Sequence, residues 1–168
     1  MTAGQASGEL LSALQQVLGS EHAAVYGYGL VGAQLSRAEE ALATAAFATH
    51  EGRRDVVRRV VIDHGGAPVA ALPAYQPKVP VVGRAGALRL ASALEEDCMA
   101  AYVQVVGATD DPALRRSAAG WLADAAVRDQ LWRARTGPVA LTQAPPLPGL
   151  MPAPTPTSTI TPVPTVLR

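Results

Sequence analysis

Four polar residues interrupt helical stripes that are otherwise apolar, and they recur as two matched pairs. Glu21 and His50 stand 29 positions apart, and Glu95 and Asp124 repeat that interval. Sliding the chain by 74 residues superposes Glu21 on Glu95 and His50 on Asp124, and it also brings Tyr28 onto Tyr102, Phe47 onto Trp121 and Arg54 onto Arg128. Two glutamates, a histidine and an aspartate make a mixed oxygen and nitrogen set suited to one iron, manganese or zinc ion. Burying a lone carboxylate costs several kcal/mol, so two glutamates at the middle of apolar stripes require a cation nearby. The metal is one candidate. Arg54 and Arg128 are the other, because each stands one helical turn beyond His50 or Asp124 on the same face and can fork onto a glutamate across the bundle. Tyr28 and Tyr102 lie two turns beyond the glutamates, placed either to hydrogen-bond the carboxylates or to pack as core tyrosines.

Helices must position these groups. Leu10, Leu14, Val17, Glu21, Ala24, Tyr28, Val31 and Leu35 alternate spacings of four and three, which predicts a first helix over about 7–35. Ser36 and Glu39 have the capping-box spacing at the start of a second helix, with stripe Ala43, Phe47, His50, Arg54, Val57 and Val61 and a stop at His64-Gly65-Gly66. Pro68, Pro73, Pro77 and Pro80 then forbid a helix. About 19 extended residues span up to roughly 60 Å, enough to run the length of a helix of about 42 Å, so this segment reads as a crossover. A third helix carries Leu88, Ala91, Glu95, Cys98, Tyr102 and Val105, and Asp110-Asp111-Pro112 opens a fourth that ends near Gly137-Pro138. The expected architecture is all-α: a four-helix bundle of two hairpins joined by a Pro-rich crossover, with its polar residues at a pseudo-symmetric centre. It occupies residues 1–137, and the Pro/Thr-rich segment 138–168 reads as a mostly disordered tail.

Composition narrows the function. The chain has 168 residues, 49% of them hydrophobic, with 14 basic and 14 acidic side chains. A balanced charge gives no electrostatic footprint for nucleic acid or an anionic membrane. Cys98 is the single cysteine, which excludes an internal disulfide and a cysteine-rich zinc site. The start of the chain has no basic, apolar signal pattern, so a cytoplasmic location is expected, and no apolar run reaches membrane-spanning length. His22 reads as a surface or interhelical histidine, His64 as a helix cap, Cys98 as a small buried hydrophobe, and Arg53, Arg58, Arg59, Arg115 and Arg116 as solvated helix faces. Phosphate loops, nucleophile elbows and HExxH are absent, and neither a catalytic nor an organic-cofactor-binding residue is assigned.

The order of a helix glutamate, a second-helix ligand, a long crossover, another glutamate and a fourth-helix ligand resembles the ferritin-like superfamily. The segment Glu21-His22-Ala23-Ala24-Val25-Tyr26-Gly27-Tyr28-Gly29, the His50 to Asp55 segment and Pro73-Ala74-Tyr75 resemble, over about residues 9–137, an actinobacterial ferritin-like family of unknown function. The resemblance implies the fold and supplies no reaction. Di-iron members of the superfamily use Glu, Glu-x-x-His, Glu, Glu-x-x-His. Here Phe47 precedes His50 and Trp121 precedes Asp124, so at least two of six ligands are missing. Two readings stay open. One is a non-enzymatic structural or interaction protein, expected to be a homodimer, with an Arg-compensated polar core. The other is a metal-binding or redox protein using Glu21, His50, Glu95 and Asp124.

Overall fold

The computed structural model describes residues 3–136; the expected tail from Pro138 onward lies outside the described residues. Four helices follow in order: α1 (Ala3–Gly32), α2 (Arg37–Asp63), α3 (Gly83–Ala108) and α4 (Pro112–Thr136). This is the all-α four-helix bundle that the apolar periodicity predicts. Seven of the eight stripe positions on the first helix, Leu10 through Val31, are buried, as are all six on the third. Among the described residues no helix is long and apolar enough to cross a membrane.

The helix junctions follow the local chemistry with one exception. Asp111 accepts a hydrogen bond from the Ala113 amide at 2.8 Å, so it caps α4, and Pro112 occupies the first turn where no donor is needed. At the end of α2, Gly65 takes φ 77° and the Gly65 and Gly66 amides bond back to Ile62 and Val61 at 2.9 Å. The expected capping box at Ser36 does not form. The Arg84 guanidinium forks onto Glu39 from α3, and the Ser36 hydroxyl donates to that same carboxylate at 3.0 Å instead of capping the backbone.

Residues 64–82 form the crossover and run along α1. The Gln15 amide clasps it, donating to the Ala67 carbonyl at 2.6 Å and accepting from the Val69 amide at 2.9 Å. Further along, His22 Nε2 donates to the Val69 carbonyl at 3.2 Å, Tyr75 packs on Tyr26, and the Gly83 amide donates to Gln34. The crossover therefore climbs α1 from its middle to its end, which makes α2 and α3 parallel and returns α4 beside α2. His22 thus ties α1 to the crossover and not to another helix, and His64 caps α2 through Val60.

Gly86 lies where the crossover folds back onto α3. A Cβ there would stand 2.6 Å from the Pro80 carbonyl oxygen, a backbone atom that cannot swing aside, whereas a Cβ at Gly120 on α4 meets nothing within 4 Å. Gly86→Ala is expected to lower stability by about 1–3 kcal/mol. Gly120→Ala removes only a poor helix former and is expected to raise it by about 0.5–1 kcal/mol. Urea denaturation of both variants checks the pair.

Candidate functional site

Glu21 on α1 and Glu95 on α3 are both fully buried, and His50 on α2, equally buried, lies between them. Its Nδ1 is 2.7 Å from Glu21 Oε2 and its Nε2 is 3.3 Å from Glu95 Oε1. A ring with a carboxylate on each nitrogen is arranged to donate twice, which is the imidazolium form. Burial alone would lower the His50 pKa, but the hydrogen bonds that the ring donates to Glu21 and Glu95 outweigh it and hold the ring above its ordinary value. Tyr28 and Tyr102 cross between the two inner helices reciprocally. Tyr28 donates to Glu95 Oε1 at 2.5 Å, and Tyr102 donates to Glu21 Oε1. Burial and the adjacent glutamates push both phenols up, so they remain neutral donors.

Arg128 completes the set. It forks onto Glu95 through Nε at 2.8 Å and a terminal nitrogen at 3.1 Å. Burial raises the Glu95 pKa, while the bonds from His50 and Arg128 lower it further than that, leaving the carboxyl below its ordinary range. Two carboxylates are thus matched by one imidazolium and one guanidinium, and no buried side-chain nitrogen or oxygen among the described residues lacks a hydrogen-bond partner. Trp132 donates to the Tyr28 hydroxyl at 2.9 Å, and the Tyr28 ring lies over His50 with centroids 5.3 Å apart.

Two expected members of the cluster are elsewhere. The Asp124 side chain is 64% exposed, and Arg54 sits on the flank of α2, bonded to Asp55 at 3.0 Å. Arg53, assigned above to a solvated face, is the buried one. It donates to Tyr102 at 3.3 Å, grips Asp124 at 2.7 Å and lies over the Tyr102 ring. The reason is a one-residue slip. One more residue separates Tyr102 from the Asp111 cap than separates Tyr28 from the Ser36 cap, and each added residue turns a helix by about 100°. The inner helices match at an offset of 74, but the outer helices match at 75. Ala43, Ala46, His50, Arg53 and Val57 on α2 correspond in facing to Ala118, Trp121, Ala125, Arg128 and Trp132 on α4. Ala125 therefore holds the place opposite His50, and Arg53 is the true counterpart of Arg128.

Arg53 was hidden in the sequence because 46-50-53-57 and 47-50-54-57 both alternate threes and fours, and bulky Phe47 favours the second series. Cys98 is buried with its Sγ 4.0 Å from His50 Nδ1, and ligand atoms of Glu21, His50 and Cys98 lie within 4.8 Å of one another. These three can address a metal on the Nδ1 side of the ring. Glu95 faces the opposite nitrogen. Burial, reinforced by both glutamates, raises the Cys98 thiol well above its ordinary value.

A family described as "Domain of unknown function (DUF4439)" matches residues 13–152 of the chain. The fold is similar to that of a conserved hypothetical protein from Mycobacterium tuberculosis, with a TM-score of 0.74 and 31% identity, covering 80% of this chain and 99% of that one. It is also similar to a ferritin-like, diiron-carboxylate protein from Bacillus anthracis, with a TM-score of 0.70 and 16% identity, covering 82% of this chain and 100% of that one. No curated protein matches the chain.

The two opposed pKa shifts define a pH window. The raised His50 value contributes stability that is fully present below about pH 6.5 and is lost as pH rises through the folded value. The lowered Glu95 value contributes stability present above about pH 4.3 and lost as pH falls through its folded value. Wild type is expected to lose stability on the alkaline side with deprotonation of one group. His50→Gln should lack that alkaline loss and, because it removes one of the two partners that hold Glu95 down, should also show a smaller acid limb, as read from urea midpoints between pH 4 and 9, with the ring-nitrogen shifts of wild type reporting the deprotonation.

Proposed function

The chain belongs to the DUF4439 family of ferritin-like bundles, and from that premise we propose that it is a non-enzymatic, cytoplasmic interaction protein whose degenerate polar centre serves packing specificity. One observation carries the reading: the central charges close among the protein's own side chains, Glu21 and Glu95 against His50 and Arg128. A dinuclear centre does not fit these residues. On α4 the places facing the site hold Trp121, Ala125 and Arg128, so that helix offers no ligand and contributes a cation of its own. The division of the chain at residue 137 into bundle and tail belongs to the same proposal.

An interaction role is supported by the outer face. The close helix pairs are α1 with α2, α1 with α3 and α3 with α4, which leaves α2 and α4 joined mainly through side chains. Leu42 and Val56 on α2 and Val127 and Leu131 on α4 are exposed there. Such a face suits a second copy of the chain, the homodimer expected from the sequence. Sedimentation is expected to give the mass of two chains for wild type and one for Leu131→Glu with Val127→Glu. A wild-type monomer at micromolar concentration would remove the dimer.

A second reading retains support from the Glu21, His50 and Cys98 cluster: a single iron, manganese or zinc ion. Elemental analysis of untagged protein, expressed with metals supplied, separates the two readings. The first expects no stoichiometric metal. Equimolar metal that Glu21→Ala and His50→Ala both release would establish the second.

A further inference from the structure

We infer that Arg128 is a built-in cation plug: its guanidinium holds the place of a divalent metal ion beside Glu95, and a protein lacking that side chain takes up a metal there. This rests on the non-metal reading of the wild-type core. Three observations converge on it.

The first is position. Arg128 addresses both oxygens of Glu95, and His50 Nε2 lies 3.3 Å from one of them. Removing the guanidinium strands Glu95 Oε2 and leaves Oε1, which keeps the Tyr28 hydroxyl, next to an imidazole nitrogen, a mixed oxygen and nitrogen donor set of the kind that zinc or cobalt binds with water completing the shell. The second is charge. Arg128 places its guanidinium charge on the fully buried Glu95, and a divalent ion at the same place supplies a charge of the same sign. The exchange leaves that carboxylate paired, so it avoids the large penalty of an unpaired charge in the core.

The third is access. A cavity of about 160 Å³ lies between α2 and α4, with walls that include Leu42, Ala46, Thr49 and Leu131, and Arg128 and Trp132 also line it. The Arg128 side chain is 17% exposed while Glu95 is fully buried. The guanidinium is therefore the group that stands between this cavity and the carboxylate. Shortening residue 128 to alanine joins the two and opens a route for a hydrated ion. Arg53, the counterpart of Arg128 on α2, cannot take over, because it is held by Asp124 and Tyr102.

The test compares cobalt binding in wild type, Arg128→Ala, Arg128→Lys and Arg128→Ala with Glu95→Gln. Isothermal titration and the visible absorption of cobalt are the two readouts, with thermal melting as a third. Wild type and Arg128→Lys are expected to bind none. Arg128→Ala is expected to bind one equivalent, develop a visible cobalt band and gain several degrees in Tm with excess metal. The added Glu95→Gln change is expected to abolish all three. If Arg128→Ala folds only when cobalt is present, that dependence is the expected result in stronger form. Should it fold under neither condition, Arg128→Gln, which removes the charge and keeps the bulk, carries the same comparison. A folded charge-deleted variant that ignores cobalt overturns the inference alone, whereas stoichiometric cobalt in wild type overturns both it and the non-metal reading.

Discussion

Two carboxylates buried on adjacent helices set the terms for everything else in this bundle. A carboxylate removed from water must be neutralised or multiply hydrogen-bonded, and the cost of failing to do so is comparable to the whole stability of a small domain. Glu21 and Glu95 sit at the same level of α1 and α3, so their compensation has to come from the outer helices. His50 reaches inward from α2 and Arg128 from α4, while the tyrosines supply neutral donors from the inner pair. The remaining core is apolar and interchangeable in a way that these six side chains are not.

The inner helices were legible in the sequence because their neighbouring apolar stripes lead to the same key residues. On α1 and α3 every third or fourth residue is apolar or one of the key polar groups, and the series beside the first on α1, Leu11-Leu14-Leu18-Glu21-Val25-Tyr28, keeps Glu21 and Tyr28 inward as well. The outer helices are harder. They face solvent on more of their circumference and contain many alanines, so two neighbouring stripes score alike. On α2 the ambiguity costs one residue and exchanges Arg53 for Arg54. On α4 it moves Asp124 to the surface, since the duplicated register of the first hairpin is broken by the turn before Asp111. Periodicity fixes which residues can share a face, and turn length decides which face is turned inward.

That turn shows how a bundle can change its chemistry without changing its fold. In an ancestral repeat with matched turns, the residue opposite His50 would be an acid. With one further residue in the connection it is Ala125, and a guanidinium arrives one turn later. The backbone path, the helix lengths and the hydrophobic volume barely alter, yet the site exchanges a potential ligand for a fixed cation. A metal site held by four helices is sensitive to such a slip because its ligands must meet within a few ångströms, while the surrounding alanines tolerate rotation.

Pairing His50 with Glu21 and Arg128 with Glu95 has a consequence for biosynthesis. Glu21 and His50 belong to the first hairpin, Glu95 and Arg128 to the second, so each half of the chain carries its own counter-ion. As the chain leaves the ribosome, the first hairpin can collapse with its carboxylate already matched, and the crossover can clip onto Gln15 before α3 has been made. The second hairpin then docks as an electrically neutral unit. The tyrosine hydroxyls, the second nitrogen of His50, Arg53 and Glu39 wait for the other half, and these are bonds that water can supply in the interim.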